Sequence, residues 1–255
     1  MGSYQIVRSK MEKTRVILTD ERLALHVPKT ELFNSENLKA MLKEYDFVYI
    51  KPDCGRGGKR VILIVSQDDG GYQIYYDTEA TKVNKITAAV KFVDKIADGD
   101  QFIIQQGINM LRIGRAPFDL RVNVQKPYEN WEVTAMIAKM MAPGKVVTNY
   151  CQGSTLVDFE QALQQAGLSR EKINQVKGLL TDLGERTATV LNDKYHGLRE
   201  LGLDIALDSG AEPWILEVNT KPKYPKGINK KFDRYRRIIR GNPISTDAKL
   251  SDEKI

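Results

Sequence analysis

The chain has 255 residues, 42% of them hydrophobic and 28% charged, which are ordinary globular proportions and exclude disordered and collagen-like classes. No apolar run approaches the ~18 residues of a membrane span, and the N-terminus MGSYQIVRSK has no hydrophobic signal region, so a soluble cytoplasmic protein with no membrane partner is expected. The net charge of +6 favours anionic partners. In chain order, residues 16–19 read as a strand, and Asn34 or Ser35 can cap a helix with Leu38, Met41 and Leu42 on its apolar side. Strands follow at 47–50, 61–65 and 72–76, the last two joined by the turn Asp68-Asp69-Gly70-Gly71, then a helix at 87–97 and a strand at 102–106 ending at Gly107.

The second half has strands at 120–125 and 133–140. Residues 169–195 form the clearest helix, with Ser169 as cap, Ile173, Val176, Leu179, Leu180, Leu183, Thr187, Val190 and Leu191 on one face, and Gly197 closing it. The basic stretch 226–240 spaces Phe232, Tyr235, Ile238 and Ile239 at helical intervals. It is read as an amphipathic helix docking its apolar stripe, ahead of a nucleic-acid surface, because it carries no reading motif. A role in holding phosphates or an anionic substrate stays open. A polar tail runs from 242 to 255. Cys54 and Cys151 form no CxxC pattern, which fits a reducing compartment, and His26 and His196 do not argue for zinc. The mixture is α+β, without the strict alternation or the GxGxxG of a parallel dinucleotide-binding sheet.

Chemistry concentrates in two remote segments. In LGLDIALDSGAEPWILEVNTKP, residues 201–222, strand alternation puts Glu217 and Asn219 on one face and sends Leu216 and Val218 to the core. A turn at 209–212 sets Asp204 opposite Glu217, and two carboxylates with an amide suit Mg²⁺, which is usually shared with nucleotide phosphates. About 150 residues upstream, FVYIKPDCGRGGKRVILI places Lys51 ahead of Gly55, Gly57 and Gly58 between two strands. Glycines let backbone amides turn toward phosphate oxygens, and Lys51 adds a point charge. The order excludes a GxxxxGK[ST] loop and a kinase loop, whose lysine follows its glycines.

Seven strings in order, VPKTELF (27–33), KPDCGRGGKRV (51–61), FIIQQGI (102–108), FDLRVNVQ (118–125), TNYCQGS (148–154), LGLDIALD (201–208) and ILEVNTKP (215–222), resemble the ATP-grasp superfamily, in its YheC/YheD-like, endospore coat-associated branch. The resemblance implies two α+β lobes clamping ATP: an N-terminal segment 1–26, a first lobe 27–106 with a glycine-rich flap, a second lobe 107–228 with a metal hairpin, and 229–255 as basic helix and tail, without a full preceding substrate domain. It implies Lys51 on the α and β phosphates, Gly55, Gly57 and Gly58 over the β and γ phosphates, and Gln105, Gln106 and Ile108 at the adenine. Gln106 departs from the Gln-Glu of many relatives, and Lys221 stands where they often have a small residue. Arg121 would stabilise charge on the transferred phosphoryl group, Lys139 and Asn149 would reach phosphates or substrate with Gly153 and Ser154 in the matching loop, and Asp204, Glu217 and Asn219 would hold Mg²⁺.

The implied activity is an ATP-dependent carboxylate-amine or carboxylate-thiol ligase working through an acylphosphate. Its partners would be a carboxylate-bearing small molecule or peptide and an amine acceptor, with a partner chain able to complete the substrate site. Two alternatives stay open: an ATP-binding spore-coat component without turnover, and a kinase with the same grip on ATP.

Overall fold

The computed structural model describes residues 5–55, 57–141, 154–222 and 229–241. Asn149, Cys151, Gly153, Lys226 and the tail from residue 242 lie outside them. Two helices come first. In α1 (Lys10–Ile17) the Ser9 hydroxyl accepts from the Glu12 amide, and in α2 (Glu21–Ala24) the Asp20 carboxylate accepts from the amides of Arg22 and Leu23. The strand expected at 16–19 is absent, because Val16 and Ile17 complete α1 and Ile17 packs into the core of the second lobe. β-branched residues favour a strand locally, but a capped helix start and burial of the same side chains override that preference.

The first lobe is one antiparallel sheet of β1 (Thr30–Leu32), β2 (Phe47–Pro52), β3 (Ile62–Ser66), β4 (Tyr72–Tyr76), β5 (Glu79–Val83) and β6 (Phe102–Gln106), in the order β1-β6-β2-β3-β4-β5. Helices α3 (Ser35–Glu44) and α4 (Ile86–Ala97) cover one face. Asn34, not Ser35, caps α3, its side chain accepting from the Asn37 amide at 2.7 Å. Alternation along β2 buries Val48 and Ile50 with Leu38, Met41, Ala89 and Val93, and so sends Tyr49 and Lys51 out of the opposite face. On β6 the same rule puts Phe102 and Ile104 into this core and leaves Ile103 and Gln105 facing the second lobe.

The second lobe is also antiparallel. Its strands β7 (Arg112–Ile113), β8 (Ala116–Gln125), β9 (Glu132–Met140), β10 (Thr155–Asp158), β11 (Glu200–Leu207) and β12 (Pro213–Asn219) run in the order β10-β9-β8-β11-β12, with β7 on β8. Phe118, Leu120, Val122 and Val124 of β8 and Leu201, Leu203, Ile205 and Leu207 of β11 bury against helices α5 (Phe159–Gln165) and α6 (Arg170–Lys194). The alternate residues, Asp119 and Arg121 on β8 and Gly202 and Asp204 on β11, therefore share the other face. Ser169 caps α6 as expected, but the helix ends at Tyr195. Gly197 does not close it; its amide and carbonyl instead pair with the side chain and amide of Gln5. Helix α7 (Lys230–Ile239) docks as its pattern implies, with Phe232 fully buried against Ala135 and Ile137, and Tyr235 and Lys231 reaching Glu132. Among the described residues, no helix is long and apolar enough to cross a membrane.

Candidate functional site

The site grows from the β11–β12 hairpin. Asp208 fixes its turn: its carboxylate accepts from the amides of Gly210 (2.9 Å) and Glu212 (3.0 Å), and Ala211 takes the left-handed conformation at φ 63°. The resulting register pairs Asp204 with Glu217 and Gly202 with Asn219. A β-bulge follows, since Ile205 pairs with Ile215 and leaves Leu216 as the extra residue. This corrects the expectation that Leu216 packs into the core beside Val218. Ile215 and Val218 are buried there, while Leu216 is half-buried and its carbonyl accepts from Lys51 Nζ and Gln105 Nε2, both at 3.3 Å.

Asp204 is the electrostatic centre of the second lobe. Arg121 donates to it from Nε (2.9 Å) and Nη2 (3.0 Å), Lys139 Nζ donates at 2.6 Å, and Asn219 Nδ2 donates at 3.1 Å. Lys139 also pairs with Asp119 at 3.1 Å. Burial alone would push the Asp204 pKa up; the adjacent Arg121 and Lys139 charges win and hold it down at about 2. Burial disfavours the charge on Lys139 and Arg121 too, yet the neighbouring carboxylates raise both pKa values. Arg121 thus pairs with Asp204 across the sheet and not with Asp119 on its own strand. Gly202 makes room for that contact, because a Cβ there would lie 3.2 Å from Arg121 Nη1 and 2.7 Å from Pro222 Cβ.

Lys51 arrives from the other lobe. Its ammonium donates to Gln105 Oε1 at 2.8 Å as well as to the Leu216 carbonyl, and burial, partly opposed by Glu217, lowers its pKa to about 8. Gln105 is itself bracketed, its amide donating to Thr30 Oγ1 at 3.0 Å. Gln106 instead points outward, where its backbone and side chain pair with the backbone of Lys29. Gly107 must be glycine, since a Cβ would fall 2.1 Å from the Phe47 ring, and Ile108 beyond it is buried. In the glycine-rich turn, Gly57 (φ 74°) and Gly58 (φ 66°) adopt the left-handed conformation that favours glycine.

The two remote segments meet. Lys10 Nζ, on α1, donates to the carbonyls of Pro52 (3.0 Å), Asp53 (3.3 Å) and Gly55 (3.4 Å) at the base of the glycine-rich turn, and lies 3.8 Å from Glu217 Oε1. Lys13, one turn on, is buried beside the same carboxylate and donates to the Val7 carbonyl at 3.0 Å; burial lowers its pKa to about 8. Sequence reasoning missed Lys10, Lys13, Asp119 and Gly202. Two lysines three apart in a short helix look like any solvated face, and nothing in one chain marks these as turned inward.

Asp204, Glu217 and Asn219 supply two carboxylates and an amide oxygen, a ligand chemistry that suits Mg²⁺, with both Asp204 oxygens already accepting from Arg121, Lys139 and Asn219. With its amide nitrogen on Asp204, Asn219 keeps the carbonyl oxygen for such an ion. Among the described residues no group of three or more His, Cys, Asp or Glu is arranged to hold a metal.

Known proteins resemble this chain in sequence and in fold. Endospore coat-associated protein YheD of Bacillus subtilis (strain 168) is 27% identical over 84% of this chain and 48% of its own length. YheC of the same organism, also named endospore coat-associated, is 24% identical over 77% and 55%. The chain spans about half the length of these curated relatives. Among solved structures, D-cycloserine synthetase DcsG superposes with a TM-score of 0.57 at 13% identity, over 91% of this chain and 68% of that one, which shows a shared fold. The family model described as YheC/D like ATP-grasp matches residues 3–245, and the chain belongs to that family.

Proposed function

We propose that the chain is an ATP-dependent ligase that joins a carboxylate to an amine or thiol. The carrying observation is the meeting of charges from both lobes on one hairpin: Lys51 at the bulge carbonyl of Leu216, and Arg121 and Lys139 at Asp204, directly opposite Glu217. In this reading Lys51 and the amides of Gly55, Gly57 and Gly58 hold the polyphosphate, and the strand end at Gln105, Gln106 and Ile108 borders the adenine. Asp204, Glu217 and Asn219 would hold Mg²⁺, which when bound would supply neutralisation of charge on the polyphosphate. A substrate carboxylate oxygen attacks the γ-phosphorus of ATP, ADP leaves, and an amine or thiol then displaces phosphate from the acylphosphate.

Arg121 and Lys139 serve this chemistry by placing two fixed positive charges where phosphoryl oxygens gain negative charge, an effect worth several kcal/mol of barrier in comparable clamps. The protein incubated with Mg²⁺, ATP, hydroxylamine and a library of carboxylic acids is expected to form a hydroxamate, and Glu217→Gln to abolish it. ADP release with no acyl product from any acid overturns the ligase reading.

A second reading, nucleotide binding without turnover, is favoured by the saturation of Asp204: both of its oxygens are taken by Arg121, Lys139 and Asn219. The coat-associated names of the two relatives point the same way. Thermal stabilisation by Mg-ATP without product from any acid, including with cell extract, separates it from the ligase.

A further inference from the structure

Lys10 lies outside every motif that marks the nucleotide site, yet it touches both halves of it. Only 8% exposed, its ammonium is ringed by four oxygens, three from the base of the glycine-rich turn and one from Glu217. An ammonium has three protons, and the carbonyls of Pro52, Asp53 and Gly55 account for them. Glu217 at 3.8 Å is therefore held by charge and not by a hydrogen bond. The attachment is reinforced around Lys10. Its own amide donates to the Asp53 carbonyl at 3.1 Å, and the Met11 amide donates to Asp53 Oδ1 at 2.7 Å, so the start of α1 is fastened to the loop by side chain and backbone together. On the far side, Val7 exchanges bonds with Thr220 Oγ1 at 3.0 and 3.2 Å, just past Asn219.

We propose that Lys10 is a positioning residue that fixes the base of the glycine-rich turn, Pro52 to Gly55, against Glu217. The inference rests on the reading of this turn and hairpin as a nucleotide site and adds what sets their separation. Pro52 and Gly55 are already in close contact, since a Cβ at Gly55 would lie 3.1 Å from Pro52 Cβ, and the left-handed residues Gly57, Gly58 and Arg60 all lie past the tether. A cation at Glu217 and the base of the turn would be registered to each other through one ammonium.

The test compares wild type, Lys10→Met and Lys10→Arg by amide hydrogen exchange without ligand and by calorimetric binding of Mg²⁺ with a non-hydrolysable ATP analogue. Lys10→Met is expected to speed exchange at residues 53–58 at least tenfold and to weaken the analogue about tenfold, with Lys10→Arg restoring most of both. Unchanged exchange at 53–58 together with unchanged affinity, whatever happens to the melting temperature, overturns the proposal and leaves Lys10 a structural residue only. If Lys10→Met does not fold, Asp53→Ala, which removes the acceptor of the Met11 amide and of the Cys54 thiol but leaves the three carbonyls on Lys10, is expected to raise the same exchange rates about threefold; no rise overturns the proposal. A wild-type protein that binds no analogue refutes the nucleotide site, while the exchange data still decide the role of Lys10.

Discussion

The hairpin β11–β12 carries two charged centres that treat charge in opposite ways. Around Asp204 every ionised group gains a partner: Arg121 and Lys139 hold the carboxylate low, and the carboxylates hold both cations high, although burial works against all three. Around Glu217 three lysines, Lys10, Lys13 and Lys51, gather near one carboxylate, and burial lowers Lys13 and Lys51 to about 8. The first centre is electrostatically complete, while the second holds cations whose charge is only partly compensated. An arriving polyanion would relieve the second more than the first, which is why the lysine side is the better candidate for gripping the resting polyphosphate, while Arg121 and Lys139, held in place by Asp204, suit charge that develops on the transferred group.

Removing the carboxylate from the complete centre should have the largest consequence. Asp204→Ala leaves Arg121 and Lys139, whose side chains are 13% and 8% exposed, without their shared counter-ion. A loss of about 3–5 kcal/mol is expected, read by urea unfolding. A loss below 1 kcal/mol would mean that the pairing contributes little and that the contrast between the two centres is false. The pH sign follows from the same contacts. The folded pKa lies below the ordinary 3.8, so this contribution is present above pH 3.8 and disappears as pH falls through about 2.

Gly202 sharpens the comparison from the backbone side. Its missing Cβ is what lets Arg121 lie over β11, so Gly202→Ala must shift either Pro222 or the guanidinium. A cost of about 1–3 kcal/mol is expected, with a raised Asp204 pKa if the guanidinium is what moves. Chemical-shift titration of the Asp204 carboxyl carbon separates the two routes.

How much of this was readable without coordinates differs between the centres for physical reasons. Alternation is a local rule and gave the shared face of Glu217 and Asn219, whereas the Asp204–Glu217 rung expected from a turn at 209–212 depends also on the bulge, because Leu207 and not Asp208 pairs with Pro213. The bulge at Leu216 is not local. It depends on Lys51 and Gln105, more than 100 residues away, offering donors to a freed carbonyl. The α+β lobes were legible from apolar periodicity, as in the 25-residue α6 capped by Ser169. Strands β1 and β5 were not, because one has three residues and the other is a mostly exposed polar edge. Lys10 and Lys13 were invisible because their meaning lies in carbonyls of another segment, and main-chain oxygens leave no trace in a sequence.

The lysine centre is tested by pH. Lys13 and Lys51 have folded pKa values near 8 against an ordinary 10.5, so between those limits the unfolded chain holds more protons than the folded one. Stability should therefore rise with pH across that window, by at most about 1.4 kcal/mol per pH unit for each lysine, where most proteins lose stability. Lys13→Met should remove its share of the slope without altering nucleotide binding, since Lys13 bonds the carbonyl of Val7 and not the turn. Lys51 should show the complementary behaviour. Because an adjacent polyphosphate favours its charged form, nucleotide affinity should fall as pH rises through 8, by up to about tenfold per unit, and Lys51→Met should flatten that dependence. If affinity is level from pH 7 to 10 in the wild type, Lys51 is not the group that meets the phosphates, and the partly compensated cations at Glu217 serve the fold alone.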